Sequence, residues 1–208
     1  MPEETLEGRI TRRAVLTGAA TAAAAAGFVP VTAIRSAAQT APAPQRIFTP
    51  EQKRTLEAFL GRLCPKDELG PGAVEIGAQD YIEVQLGDYL APEKDTFLRG
   101  LAAVDAYARS SQGSGLAELS PDQQDEVLND IDNGRAPQET RAFFNRARRL
   151  MLEGMFGDPH YGGNKNFAGW DLIKYPGPRL ATTPEQQKMG VEIPPFHRSA
   201  WGPEHNGH

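Results

Sequence analysis

The sequence is poor in cysteine and in basic residues. Its single cysteine, Cys64, excludes an internal disulfide framework and a zinc site made of several thiolates. Covalent c-type haem is excluded as well, because no Cys-x-x-Cys-His motif occurs. The 22 Lys and Arg are outnumbered by 27 Asp and Glu, which gives a net charge of -5. The chain therefore lacks the basic footprint of a nucleic-acid-binding domain.

The sequence also lacks the common cofactor and nucleotide motifs. It has no Gly-x-Gly-x-x-Gly, no phosphate-binding loop and no His-Glu-x-x-His. Flavin, nicotinamide, nucleotide and zinc-peptidase sites are consequently not predicted in this chain. No segment alternates apolar and polar residues for long enough to predict a strand.

The N-terminal segment has the features of an export signal. The adjacent pair Arg12 and Arg13 precedes an uncharged stretch over 14–34 that consists mostly of Ala, Gly and Thr. An uncleaved membrane helix is the alternative, but Ala, Gly and Thr favour insertion weakly and Pro30 interrupts the stretch. We predict a twin-arginine signal over 1–38. That route exports folded proteins, so a chain without cofactor motifs suggests a cofactor-loaded partner.

The rest of the chain is predicted to be all-α, a single irregular helical bundle with Gly/Pro-rich loops. A linker over 39–45 leads into a helical domain over 46–178, and 179–208 forms an extended Pro-rich C-terminal arm. The arm lies along a partner or stays disordered until something binds it. Apolar spacing and helix-capping residues predict five helices in the domain, which cover about 50–64, 74–90, 92–109, 121–133 and 137–156.

Two groups of polar residues allow catalytic or metal-binding hypotheses. Asp158 and His160 lie in a Gly-rich loop and resemble an acid–base dyad, although Asp-Pro there is more typical of a turn. The tail holds three histidines and a glutamate, whose spacing matches no compact metal site: His197, Glu204, His205 and His208. Cys64 follows an apolar helix face, where a buried role is favoured over pairing with another chain.

Aromatic residues are concentrated in the segment that follows the last long helix. Tyr161, Phe167, Trp170 and Tyr175 lie among glycines and asparagines. Aromatic side chains on such a loop are candidate anchors of a protein interface. The alternative is that they fold the loop back onto the helices, and the two roles are compatible.

Several motifs resemble those of one family, the small subunit (subunit 3, or gamma) of membrane-associated gluconate 2-dehydrogenases. They include Phe-Thr-Pro-Glu at 48–51, Leu-Cys-Pro at 63–65 and Pro-Gly-Ala at 71–73. The most specific is Gly-Met-Phe-Gly-Asp-Pro-His-Tyr-Gly-Gly-Asn at 154–164, continued by Gly-Trp-Asp-Leu-Ile-Lys-Tyr-Pro-Gly at 169–177. The resemblance covers roughly 47–178, and the arm after Arg179 matches nothing in it.

The resemblance implies a non-catalytic subunit of a periplasmic complex at the outer face of the cytoplasmic membrane. Its expected partners are an FAD-containing large subunit of the glucose-methanol-choline type, a multihaem cytochrome c subunit and the twin-arginine translocase. No cofactor is expected in this chain itself. We predict that the partner contact uses the loop and aromatic residues after the last long helix, namely Asp158, His160, Tyr161, Asn164, Phe167, Trp170 and Tyr175.

Overall fold

The computed structural model describes residues 46–179 and 181–202, and in this part of the chain the architecture is all-α, as predicted. The helices are α1 Pro50–Leu63, α2 Ala73–Ile76, α3 Ala78–Gly87, α4 Lys94–Gln112, α5 Pro121–Asp132, α6 Gln138–Phe156 and α7 Ala168–Leu172. Short 3₁₀ turns cover Ala91–Glu93, Leu116–Glu118, Pro159–Tyr161 and Lys165–Phe167. Among the described helices, none combines the length and the apolar character needed to cross a bilayer.

Capping residues define the starts of α1 and α5. Thr49 Oγ1 accepts the Gln52 backbone N–H at 3.2 Å, and Gln52 Oε1 accepts the Thr49 backbone N–H at 2.9 Å. Ser120 and Gln123 form the same reciprocal pair ahead of α5. A proline occupies the first turn of each helix, where its missing N–H costs no hydrogen bond. Both predicted starts are confirmed.

The prediction of one helix over 74–90 is wrong. The structure has two helices there, α2 and α3, which meet at Gly77. Gly77 has φ +91°, a left-handed conformation that glycine adopts readily and that ends α2. A Cβ at this position would also lie 2.8 Å from Cε of Lys165, so that flexible side chain would have to move in a substituted variant.

The predicted bounds of the third helix are also corrected. A 3₁₀ turn over Ala91–Glu93 precedes α4, which starts at Lys94 and extends to Gln112, beyond the predicted end at 109. Gly113, with φ +85°, then ends the helix. Three residues beyond the predicted end, Ser110, Ser111 and Gln112, therefore belong to α4.

The core forms around aromatic side chains of α1, α4 and α6. The Phe59 ring meets those of Phe143 and Phe144 edge-on at 5.2 and 5.5 Å, and Phe97 lies 4.9 Å from Phe143. Gly100 allows α4 to approach α6 closely, since a Cβ there would lie 2.7 Å from Cβ of Phe143. Each buried ring stabilises the fold by about 1.5–3 kcal/mol.

The described part of the C-terminal arm is not helical and has two portions with different contacts. Residues 181–192, which we call the tether, are largely exposed and make local turns. Residues 193–202, which we call the clip, fold back onto the segment that follows α6. The clip contributes no residue to the hydrophobic core.

Candidate interaction surface

Asn164 organises the loop between α6 and α7. The residue is fully buried and adopts a left-handed conformation with φ +46°. Its Nδ2 donates to the Gly157 carbonyl at 2.9 Å, its Oδ1 accepts the Gly169 N–H at 2.8 Å, and its own N–H donates to the Gly154 carbonyl at 2.7 Å. A single side chain thus joins the end of α6, the loop and the start of α7.

Trp170 packs beneath the surface of the same region. Its side chain is only 4% exposed, and its Nε1–H donates to the Phe156 carbonyl at 2.9 Å. The Phe167 and Tyr175 rings flank it at 5.2 and 4.9 Å. Trp170 and Asn164 are therefore used inside this chain, and their predicted contact with a partner stays a prediction.

Asp158 fixes the loop through backbone hydrogen bonds. Its Oδ1 accepts the backbone N–H of His160 at 3.0 Å, and its Oδ2 accepts that of Ala200 in the clip at 2.8 Å. The carboxylate thus caps the 3₁₀ turn Pro159–Tyr161, which is the turn role weighed against catalysis. The His160 ring stacks on Trp201 with centroids 5.2 Å apart and planes 27° apart.

The clip has a second attachment point around α7. The His197 ring stacks on that of Phe167, with centroids 5.1 Å apart and an angle of 3° between the ring planes. His197 Nε2 is 2.7 Å from Asp171 Oδ1, and the Phe196 N–H donates to the Pro176 carbonyl at 3.0 Å. A metal-binding role for His197 was one hypothesis from the sequence, and in the structure the residue contacts Phe167 and Asp171.

The segment after α6 carries a group of large side chains around the buried Trp170, all aromatic except Ile173, which we call the aromatic face: His160, Tyr161, Phe167, Trp170, Ile173 and Tyr175. The clip lies over His160 and Phe167. Tyr161 (41% exposed) and Tyr175 (38%) stay accessible, together with Ile173. A cavity of about 320 Å³ lies between Ala200 of the clip and part of the face. Its lining residues are Phe156, Asp158, Trp170, Ile173, Tyr175, Pro178 and Ala200.

Sequence reasoning missed three members of this region. They are Ile173, Phe196 and Trp201. The structure shows Ile173 and Trp201 more than half exposed, with Phe196 slightly less. Large apolar side chains in a Pro-rich segment without helical periodicity were the available signal, since such residues have no core to enter.

An ion-pair cluster attaches the loop to the helices next to the aromatic face. Asp80 on α3 binds Lys165 of the loop and Lys53 of α1, the latter at 3.2 Å. Burial raises the pKa of Asp80, but the hydrogen bonds from Lys165 and Lys53 outweigh it and hold the pKa below its ordinary value. The charged form of Asp80 therefore stabilises this arrangement.

The remaining candidate residues are placed as follows. Cys64 is half-buried and packs against the core, and burial raises the pKa of its thiol. Within 46–179 and 181–202, no three His, Cys, Asp or Glu side chains are grouped to hold a metal ion. Arg12, Arg13 and the linker 39–45 lie outside the described residues. The same holds for the tail residues Glu204, His205 and His208.

Comparison with known proteins gives one result. The family model described as gluconate 2-dehydrogenase subunit 3 matches residues 50–177, which is well over half of the chain. No curated protein and no solved structure matches the sequence. The matched range starts at the first residue of α1 and ends two residues after Tyr175 of the aromatic face. The chain therefore belongs to the gluconate 2-dehydrogenase subunit 3 family.

Proposed function

We propose that this chain is a non-catalytic small subunit that stabilises a flavoprotein large subunit and supplies its export signal. The large subunit, of the glucose-methanol-choline type, holds FAD and oxidises a sugar or sugar acid in the periplasm. A multihaem cytochrome c subunit then takes the electrons at the outer face of the cytoplasmic membrane. Family membership supports the place in a dehydrogenase complex, and the leader sequence motivates the export role.

The observation that carries the proposal is the exposed part of the aromatic face. Tyr161, Ile173 and Tyr175 are large exposed side chains of the aromatic face, and Ile173 and Tyr175 line the cavity. Clustered exposed apolar residues of this kind mark interaction sites, and tyrosine is enriched among the residues that dominate binding energy. The buried Trp170 and Asn164 keep the surface rigid, which lowers the ordering cost of association.

Binding can be tested with paired tyrosine variants. Tyr161→Ala and Tyr175→Ala should each weaken co-purification with an affinity-tagged large subunit, and together by roughly a hundredfold in Kd if each costs about 1–2 kcal/mol. Tyr89→Ala is the matched control, because Tyr89 is 81% exposed and takes no part in the ring contacts of the face. Unchanged complex formation by the double variant would refute this binding site.

The export role has a separate test. Changing Arg12 and Arg13 to Lys should leave the tagged large subunit, with its flavin absorption, in the cytoplasmic fraction. A large subunit that still reaches the periplasm would show that it carries its own signal, and the carrier role would then be wrong. The alternative of an enzyme based on Asp158 and His160 predicts turnover by the isolated chain and loss of turnover in His160→Ala.

A further inference from the structure

The clip is attached to the aromatic face like a bound ligand. Two of its aromatic side chains, His197 and Trp201, each stack on a ring of the face, Phe167 and His160 respectively. Between them, the Ala200 backbone N–H donates to Asp158, and Ser199 is buried. Ring stacking and a backbone hydrogen bond are contacts that the same surface can offer to any extended peptide with suitably spaced planar side chains.

Gly177 and Arg179, which precede the tether, make specific contacts with the clip. Gly177 has φ +85°, and a Cβ there would lie 2.2 Å from the Phe196 carbonyl oxygen. Arg179 Nη2 donates to the Pro194 carbonyl at 2.6 Å, and its guanidinium carbon lies 6.0 Å from the centre of the Phe196 ring. These contacts fix the register of the clip, so its position is not that of a loosely collapsed tail.

The same attachment is easily reversed. The clip adds nothing to the hydrophobic core, Trp201 stays 59% exposed, and His197 and Asp171 are both solvent-accessible. The tether that precedes it is largely exposed and makes only local hydrogen bonds. A segment that is held by surface contacts outside the core, at the end of an exposed tether, opens at lower cost than the helices do.

From these observations we propose that the aromatic face is a peptide-binding surface and that the clip is its resident, displaceable ligand. The competing ligand is an extended segment of the large subunit with the same chemistry: two planar side chains about four residues apart and a free backbone N–H for Asp158. This inference rests on the proposed function for the identity of the partner. The peptide-binding property itself is independent of it.

Peptide binding can be measured on the full-length chain with a fluorescein-labelled peptide of residues 193–202. The tethered clip competes at an effective concentration in roughly the millimolar range, so wild-type protein should bind the free peptide very weakly. In the double variant His197→Ala/Trp201→Ala the resident clip loses both stacked rings. Each ring pair corresponds to roughly a two- to tenfold change in equilibrium constant, so peptide affinity should rise by about tenfold or more.

Controls separate binding at the face from unspecific adsorption. Met189→Ala in the fully exposed tether should leave the weak wild-type affinity unchanged. A peptide that itself lacks the two rings should not bind the double variant, and adding Phe167→Ala to the double variant should remove binding. The proposal is overturned if the double variant, folded by circular dichroism, binds the peptide no better than wild type.

Adding the large subunit then tests whether it displaces the clip. It should release the labelled peptide from the double variant and bind that variant more tightly than wild type. Weaker binding by the double variant would make the clip a part of the interface and would overturn its displacement by the partner. If the wild-type chain forms no complex at all while the peptide still binds, the proposed function fails and peptide binding stands.

Discussion

Asn164 Oδ1 accepts the backbone N–H of Gly169 at 2.8 Å, and this bond connects the loop after α6 to the first turn of α7. The opposite end of the same amide donates to the Gly157 carbonyl. Both partners are backbone groups, so substitution of Asn164 leaves them without a hydrogen bond in a buried position. The loop geometry therefore depends on one polar side chain.

Asn164→Ala should lower the free energy of unfolding by about 3 kcal/mol, because two backbone groups lose their partners and alanine adopts a left-handed conformation less readily. Chemical denaturation measures the loss. Asn166→Ala is the matched control: it has a similar φ of +54° but is exposed, so only the conformational cost of about 1 kcal/mol should appear. Equal losses in the two variants would contradict the role given to Asn164.

Two glycine-to-alanine substitutions should change the stability of the protein in opposite directions. A Cβ on Gly169 would lie 1.7 Å from the Met155 carbonyl oxygen, so Gly169→Ala should displace α7 and destabilise the protein by more than 2 kcal/mol, a rough figure for a severe backbone clash. Gly61 lies within α1, where a Cβ would make an ordinary 3.6 Å contact with Val74. Gly61→Ala should stabilise the protein by about 0.5–1 kcal/mol. Thermal melts of both variants test this ordering.

Asp80 should contribute to the acid sensitivity of the fold. Its folded-state pKa lies below the ordinary value of 3.8, so its stabilising effect is complete above that value and is lost as the pH falls through the folded pKa. Asp80→Asn should reduce stability at neutral pH and make the decline below pH 3.8 shallower. Part of the decline should remain, since hydrogen bonds from Arg62 lower the pKa of Asp125 and hydrogen bonds from Tyr107 and Arg135 lower the pKa of Asp130. A variant with the full wild-type decline would refute this role.

The fluorescence of the two tryptophans should report separately on the buried region around α7 and on the clip. Trp170 is buried, whereas Trp201 is 59% exposed, and a solvated indole emits at longer wavelength than a buried one. Trp201→Phe should therefore shift the fluorescence maximum to shorter wavelength, while Met189→Ala leaves it unchanged. A shift to longer wavelength after Trp201→Phe would mean that the burial of the two side chains is the reverse of that described.

Sequence patterns predicted the elements whose signals are local. The caps at Thr49 and Ser120 involve residues three positions apart, so the starts of α1 and α5 were readable. The break at Gly77 was missed because helical periodicity continues through it and the close neighbour, Lys165, is distant in sequence. The left-handed backbone of Gly77 separates two helices where the apolar spacing predicts one.

The sequence predicted most of the residues of the candidate site but not how they pack against one another. The concentration of aromatic residues after α6 indicated a special surface, and the structure groups them into the aromatic face. Which residues are buried depends on the Asn164 hydrogen bonds, and which are covered depends on the clip. The contacts of His197 with Phe167 and of Trp201 with His160 join residues 30 or more positions apart without any periodic pattern. Sequence reasoning therefore described the arm as extended without finding where it lies.

The position of the clip matters for how the protein is handled. Trp201 stacks on His160 of the aromatic face with ring centroids 5.2 Å apart, so an affinity handle placed directly after the clip would begin beside that face. If the proposed complex forms through this face, a bulky handle there would compete with the partner for space. Gly113, where an added side chain would meet no atom within 4 Å, offers an insertion point at the end of α4. Handles placed there leave the contacts of the clip with His160 and Phe167 unobstructed.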